Sequence, residues 1–233
     1  MLGSTASVSS AVENSLVAML GRSNVVRLGG ADRYETARKV ADETIRLLGI
    51  SYGDRAFVAT GLNYPDATAA SPIAAGRGIP ILLANVRAGT VSLPPAVERV
   101  MILGSTSAVP AAIETWLEGQ LGGTDNVDRT GGANRYDTAA KVAKWAVYAG
   151  LADWKATGLA TGENFPDALA SGPMLARHSG VLLLTRPTAL PAETRAVLVD
   201  PVHRARFVTL FIFGDTNAVS AAVEAEAKAA AGL

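Results

Sequence analysis

The chain has 233 residues, enough to bury a sizeable core in one or two units. Hydrophobic residues make up 49% and charged ones 18%, and the 21 Lys and Arg balance the 21 Asp and Glu, so no global field draws the chain to nucleic acid or an anionic membrane. The absence of Cys excludes disulfides and thiolate metal sites, and no apolar run reaches the ~20 residues of a membrane span.

Met1 is not followed by the basic stretch and apolar core of a signal peptide, so any export signal is expected outside this chain. The segment LGSTASVSSAVE at 2–13 leads into a helical pattern from about Ser7 to Leu20. Its apolar Val8, Val12, Leu16, Met19 and Leu20 form one face, expected to pack on the following repeat or on another chain. Val25–Leu28 is a short apolar run halted by Gly29 and Gly30, and Asp32 and Glu35 then stand at capping-box spacing before a helix.

Ala56–Thr60 reads as a buried strand. Gly61 turns the chain, and Pro65 suits the first turn of a helix running to about Arg77. Ile79–Ala84 is a second buried strand. A short helix is expected from about Leu93, then the strand Arg99–Leu103 and an amphipathic helix over Pro110–Leu121.

The same order then recurs. RLGGADRYETA at 27–37 returns as RTGGANRYDTA at 129–139, with eight of eleven positions identical, 102 residues on. ATGLNYPDA at 59–67 returns as ATGENFPDA at 160–168, with seven of nine identical, and LPPAVE at 93–98 is echoed by LPAET at 190–194. The opening segment returns as LGSTSAVPAAIE at 103–114 and FGDTNAVSAAVE at 213–224. The chain therefore divides into the tail of an upstream repeat at 1–22, a first complete repeat at 23–121 and a second at 122–233. It reads as a fragment of a longer protein. Apolar strands linked by helices imply a mostly parallel sheet covered on both faces, a three-layer α/β sandwich per repeat.

Both repeated motifs fall at strand-to-helix turns, where open α/β sheets meet ligands. Arg27, Arg33 and Tyr34 cluster at the glycine turn, so two guanidiniums and a phenol could converge on a phosphate or carboxylate. Alternatively, Arg33 pairs with Asp66 or Glu35 and Tyr34 packs under the sheet. Asn63 and Asp66 in the second turn suit sugar hydroxyls, or an ion pair between Asp66 and an arginine of the neighbouring repeat.

Catalysis finds little support. His178 and His203 have no counterpart in the first repeat, where Arg77 stands opposite His178, and no Gly-x-Ser-x-Gly elbow or P-loop is present. Metal-dependent phosphoryl transfer needs acidic residues at strand ends, yet the first strand ends in Gly29 and Gly30 and no Asp-x-Asp follows a later one. Trp116, Trp145 and Trp154 occupy unrelated repeat positions and make no repeated sugar-stacking platform.

The three ordered motifs, GGxxRY[ED]TA, ATGxN[YF]PDA and [LF]GxTxxV, resemble those of the cell wall binding repeat 2 (CWB2) family of Gram-positive surface proteins, over nearly the whole chain. The resemblance implies tandem Toprim-like three-layer α/β repeats with mostly parallel sheets, three of them about a pseudo-threefold axis. It further implies non-catalytic, cofactor-free and metal-free attachment of a secreted protein to an anionic, teichoic-acid-like cell-wall glycopolymer at the cell surface. By motif position the polymer-contacting residues would be Arg27, Arg33, Tyr34, Asn63 and Asp66, and in the second repeat Arg129, Arg135, Tyr136, Asn164 and Asp167. Two whole repeats and an orphan tail leave the closed threefold arrangement open, and self-association through the N-terminal helix or a missing third repeat follows as an expectation. The alternative function is a self-associating, S-layer-like structural domain with no polymer contact of its own.

Overall fold

The computed structural model describes residues 1–49 and 54–233. Helix α1 (Ser10–Leu20) precedes α2 (Arg33–Leu48), β1 (Arg55–Thr60), α3 (Pro65–Arg77), β2 (Ile81–Asn85), β3 (Thr90–Val91), β4 (Arg99–Leu103) and α4 (Ala111–Leu121). The second half runs β5 (Val127–Thr130), α5 (Arg135–Tyr148), β6 (Ala156–Thr161), α6 (Pro166–Arg177), β7 (Val181–Thr185), α7 (Ala192–Val199), α8 (Pro201–Arg204), β8 (Thr209–Phe213) and α9 (Ala221–Ala231).

The local signals act as the sequence suggests. Asp32 caps α2 by accepting the Glu35 N–H at 2.8 Å, while Glu35 accepts the Ala31 N–H at 2.6 Å, one residue before the reciprocal bond of a standard capping box. Pro65 and Pro166 each open a helix at a position whose N–H has no helical partner, and Gly78 ends α3 in the left-handed region at φ 64°.

The strands form two sheets, ordered β3-β2-β1-β4-β5 and β7-β6-β8. All pairings are parallel except β2 with β3. Phe57 and Ala59 of β1 enter one core with Ile73 of α3, and Ala56 and Val58 enter the other with Ala41 of α2 and Ile113 and Leu117 of α4. Burial on both faces is why these strands are uninterrupted apolar runs. The expected tandem three-layer α/β architecture is the one adopted.

The sheets are offset from the sequence period. Strand β5 opens the second repeat in sequence, yet it pairs with β4 in the first sheet, with Leu103 opposite Thr130, and α5 then crosses to pack on β7. The chain's first residues build the same joint, since Leu2 bridges Leu28 in parallel. Gly104 N–H donates to Thr130 O at 2.9 Å, as Gly3 N–H does to Leu28 O at 2.8 Å.

Each joint carries an arginine staple. Arg129 donates to Gly104 O at 2.9 Å and to the Glu114 carboxylate at 2.9 and 3.1 Å. Arg27 donates to Gly3 O and to Glu13, both at 2.9 Å. Glu13 is held below the usual carboxylate range by its hydrogen bonds from Arg22 and Arg27. The joint also explains a glycine: a Cβ on Gly131 would lie 2.2 Å from the Gly104 carbonyl carbon, and one on Gly29 would lie 2.5 Å from that of Gly3.

The two repeats meet through α3 and α6, whose small residues allow close approach. A Cβ on Gly172 would come 2.6 Å from Ser71 Oγ, and Tyr64 and Phe165, at equivalent repeat positions, touch with ring centroids 5.5 Å apart. Thr68 of α3 is buried, whereas its equivalent Leu169 on α6 is 56% exposed.

Two expectations change. Residues 93–98 do not form a helix, because only Ala96, Val97 and Glu98 separate Pro95 from β4, less than one 3.6-residue turn. The second repeat has room there for α7 and α8. Of the two partners expected for the apolar face of α1, the following repeat does not cover it: Val12, Met19 and Leu20 are exposed and no residue of the helix is buried.

If the staple holds the joint, Glu114→Ala should cost about 2 kcal/mol, since it strands a half-buried guanidinium. Its repeat equivalent Glu224, which receives only a Lys228 pair one turn on, should cost under about 0.5 kcal/mol when changed to Ala. Urea midpoints of the two variants test this, and equal losses would refute a special role for the staple.

Candidate ligand-binding site

The second GG turn follows β5 and the PD turns follow β1 and β6, while Arg33, just after the first GG turn, reaches Gly61 O at the end of β1. Within the GG turns the backbone is tied by side chains. Thr36 Oγ1 accepts the Gly30 N–H at 2.9 Å, and Thr138 Oγ1 accepts the Gly132 N–H at 3.0 Å. Lys39 and Lys141 reach back to Gly29 O and Gly131 O at 3.0 and 3.2 Å. In the PD turns Asn63 and Asn164 each accept the next residue's N–H at 2.9 Å through the side-chain carbonyl, which leaves their exposed amide groups as donors.

The ten residues singled out in the sequence separate into three groups. Arg27 and Arg129 lie in the staples, their side chains only 16% exposed, and direct their donors at a carboxylate and a backbone carbonyl.

The second group sits between the repeats. Asn63 and Asp66 of the first repeat and Arg135 of the second line one cleft of about 440 Å³ together with Ser105, Asn134 and Thr138. Asp66 lines the cleft on the side of the first repeat, facing Thr138 and within the field of Arg135. Gly104, at φ 100°, makes room for it, since a Cβ there would fall 2.4 Å from Asp66 Oδ2. The sequence left open an ion pair between Asp66 and a neighbouring arginine. The structure brings Arg135 close enough to act on Asp66 through its charge, but forms no ion pair between them among the described residues. Asp167 takes the same place beside Gly214, 2.6 Å from the position of a Cβ, and Asn164 is exposed next to it.

The third group lies beside the glycines that end β1 and β6. Arg33 donates to Gly61 O at 2.7 Å and Arg135 donates to Gly162 O. The Tyr34 ring rests on Gly61, where a Cβ would come within 2.2 Å of it, and the Tyr136 ring lies against Gly162. Arg33 forms no ion pair among the described residues, with Asp66 and Glu35 included.

The two tyrosines differ in surroundings. Tyr136 is 4% exposed and lies under Arg186, whose guanidinium carbon is 5.2 Å from the ring centroid. Burial pushes the Tyr136 phenol above its usual range, with Arg186 opposing and Glu163 reinforcing the shift. Arg186 also pairs with Glu163 at 3.6 Å. Tyr34 is only half-buried, and with Arg33 it lines a second cleft, of about 660 Å³, bounded by Leu62, Asn85, Arg87 and Ala88. Arg87 and Asn85 were not singled out in the sequence, because the second repeat has no counterpart of the hairpin that carries them. Among the described residues, no group of three or more His, Asp or Glu could hold a metal ion.

A profile of the family described as Cell wall binding domain 2 (CWB2) matches residues 27–114 and 129–224. Over 225 residues the chain is 30% identical to the amidase enhancer of Bacillus subtilis strain 168, a match covering 96% of this chain and 28% of that protein. It is 31% identical over 186 residues to the N-acetylmuramoyl-L-alanine amidase LytC of the same organism, which covers 78% of this chain and 35% of that one. The chain thus spans about a third of each of these relatives. Two solved structures share the fold: Cwp8 from Clostridium difficile, with TM-score 0.77 and 24% identity over 100% of this chain and 38% of its own, and Cwp6 from the same organism, with TM-score 0.75 and 23% identity over 97% and 35%.

Burial raises the Asp66 pKa, and Thr138 and Arg135 offset only part of that rise. A raised folded-state pKa adds stability that is fully present below the unfolded value of 3.8 and is lost as pH climbs through the folded value. Asp66→Asn, which carries no charge, should therefore gain stability relative to the parent as pH rises from about 3.5 towards 7. Thermal melts of both proteins across that range read the difference, and a gap that narrows or stays level would contradict the assignment.

Proposed function

Since the chain belongs to the Cell wall binding domain 2 family, we propose that it is a non-catalytic module that anchors its parent protein, outside the cell, to an anionic, teichoic-acid-like cell-wall glycopolymer. Association with the cell wall is the property the family supplies, and the charge of the ligand is inferred from the site. The observation that carries the reading is the guanidinium held at the end of a central strand in each repeat, the exposed Arg33 at Gly61 and the half-buried Arg135 at Gly162. Each is oriented by one backbone carbonyl and has further N–H groups, and Arg135 shares its cleft with the exposed amide of Asn63.

Two such turns on one chain suit a polymer that repeats its charges, because a second engagement is intramolecular once the first has formed. Within this reading Arg33, Tyr34, Asn63, Arg135, Tyr136 and Asn164 meet the polymer. Arg27, Arg129, Asp66 and Asp167 hold the turns in place. The relatives are an amidase and an amidase enhancer by name. We place the resemblance in their wall-attachment portion, so that this chain supplies attachment rather than hydrolysis.

A self-associating surface domain of the S-layer kind is favoured by a different observation, the uncovered apolar side of α6 at Phe165 and Leu169, 48% and 56% exposed. On that reading the chain sediments as oligomers that grow with concentration, and Leu169→Lys returns it to a monomer.

Co-sedimentation with purified Bacillus subtilis walls, intact or stripped of anionic polymer by mild acid, separates the two. Polymer recognition requires binding to intact walls that falls on stripping. It also requires binding to weaken as salt shortens the screening length from about 10 Å at 0.1 M to about 3 Å at 1 M. Equal binding to stripped walls would overturn it.

A further inference from the structure

The two repeats differ most where their motifs end. In the first, β2 continues through the turn Val86–Gly89 into β3, and Asn85 builds that turn by accepting the Ala88 N–H on its side-chain carbonyl at 3.1 Å and the Gly89 N–H on its backbone carbonyl at 2.8 Å. The hairpin holds Arg87 across the second cleft from Arg33. Among the described residues neither arginine forms an ion pair, and the cleft wall contributes no carboxylate, since Leu62 stands between the two sides.

In the second repeat Glu163 replaces Leu62 and pairs with Arg186, which also covers the Tyr136 ring. The connection after β7 is shorter: four residues separate Thr185 from Leu190, against seven between Asn85 and Leu93, and no strand equivalent to β3 forms among the described residues. A guanidinium satisfied by its own carboxylate must give up that pairing before it can bind an anion, whereas Arg33 and Arg87 give up only water.

We propose that the anionic groups of the ligand are taken mainly by the first repeat, in the cleft of Arg33, Tyr34, Asn85 and Arg87, and that the Glu163–Arg186 pair makes the corresponding surface of the second repeat the weaker contact. The ligand class is a phosphate- or carboxylate-bearing sugar unit: the two guanidiniums take the anion, and the Asn85 amide and Tyr34 hydroxyl remain for its hydroxyls. A cleft of about 660 Å³ lies within the range of sites that hold a small organic ligand. The inference rests on the anionic-polymer reading and divides it unequally between the repeats.

Exchanging the residue that distinguishes the repeats tests it. Leu62 is 55% exposed and Glu163 is also exposed, so both exchanges leave the core untouched. In co-sedimentation of the whole chain with intact Bacillus subtilis walls, Leu62→Glu and Arg87→Ala should each weaken binding about tenfold. Arg186→Ala should change it by less than about twofold, and Glu163→Leu should strengthen it. Circular dichroism of each variant confirms that it is folded. If the parent distinguishes intact from stripped walls while Leu62→Glu and Arg87→Ala bind as the parent does, the assignment to the first repeat is wrong and the polymer reading stands. If the parent binds stripped walls equally well, both fall.

Discussion

The arrangement depends on the contact between two glycine backbones, Gly104 and Gly131, at a separation that admits no Cβ. Only there can β5 run beside β4 and release the chain at once towards the next sheet. Three further interactions converge on Gly104. Arg129 donates to its carbonyl, its N–H donates to Thr130, and Asp66 fills the space that its missing side chain leaves. An alanine would meet Asp66 and adopt a positive φ at the same time. The joint is therefore a place where repeat follows repeat at fixed geometry, and Gly3, Gly29, Arg27 and Glu13 reproduce it at the start of the chain.

Fixed geometry at the joint has consequences for charge. The staple places an arginine and a glutamate inside the protein's own hydrogen-bonding, so the guanidiniums left for a ligand are those one turn later, Arg33 and Arg135. These are held by a single backbone carbonyl at the end of β1 or β6. Position relative to the glycines thus sorts chemically identical arginines into those inside the staples and those held by one carbonyl at a strand end. A cation fixed at one end loses less rotamer entropy on meeting an anion than a free surface side chain does.

Much of the fold was legible because each repeat states its elements twice. The capping residues Asp32 and Asn134, the prolines that open α3 and α6, and the apolar runs of β1, β2 and β4 all lie where their local chemistry predicts. The offset between sequence period and sheet was hidden, since nothing in RLGG or RTGG tells which of two neighbouring sheets a four-residue strand will join; that is decided by long-range pairing with β4. The distance from Pro95 to β4 was visible in the sequence too, since the strand was expected from Arg99, and it leaves less than one helical turn. Arg27 and Arg33 also looked alike in the sequence. Arg27 is set apart by Glu13, fourteen residues before it, as Arg129 is by Glu114, fifteen residues before it, each carboxylate on a helix that only the folded joint brings back, whereas Arg33 reaches Gly61 O.

The cleft of Arg33 and Arg87 escaped notice for the opposite reason. Repeat comparison finds what is shared, and what is shared here is mostly what builds the joint: the glycines, the threonines that tie them, the staple arginines and the aspartates beside Gly104 and Gly214. Recognition has no need to be duplicated in the same way. A module with two equivalent scaffolds can keep one surface open to its ligand and let the other be neutralised from within, as Glu163 does for Arg186. The residues that break the repeat, Leu62 against Glu163 and the hairpin that carries Arg87, are therefore where differences between otherwise similar modules should be sought. The scaffold constrains them least, since Leu62 and Glu163 are exposed and the hairpin lies at the edge of its sheet.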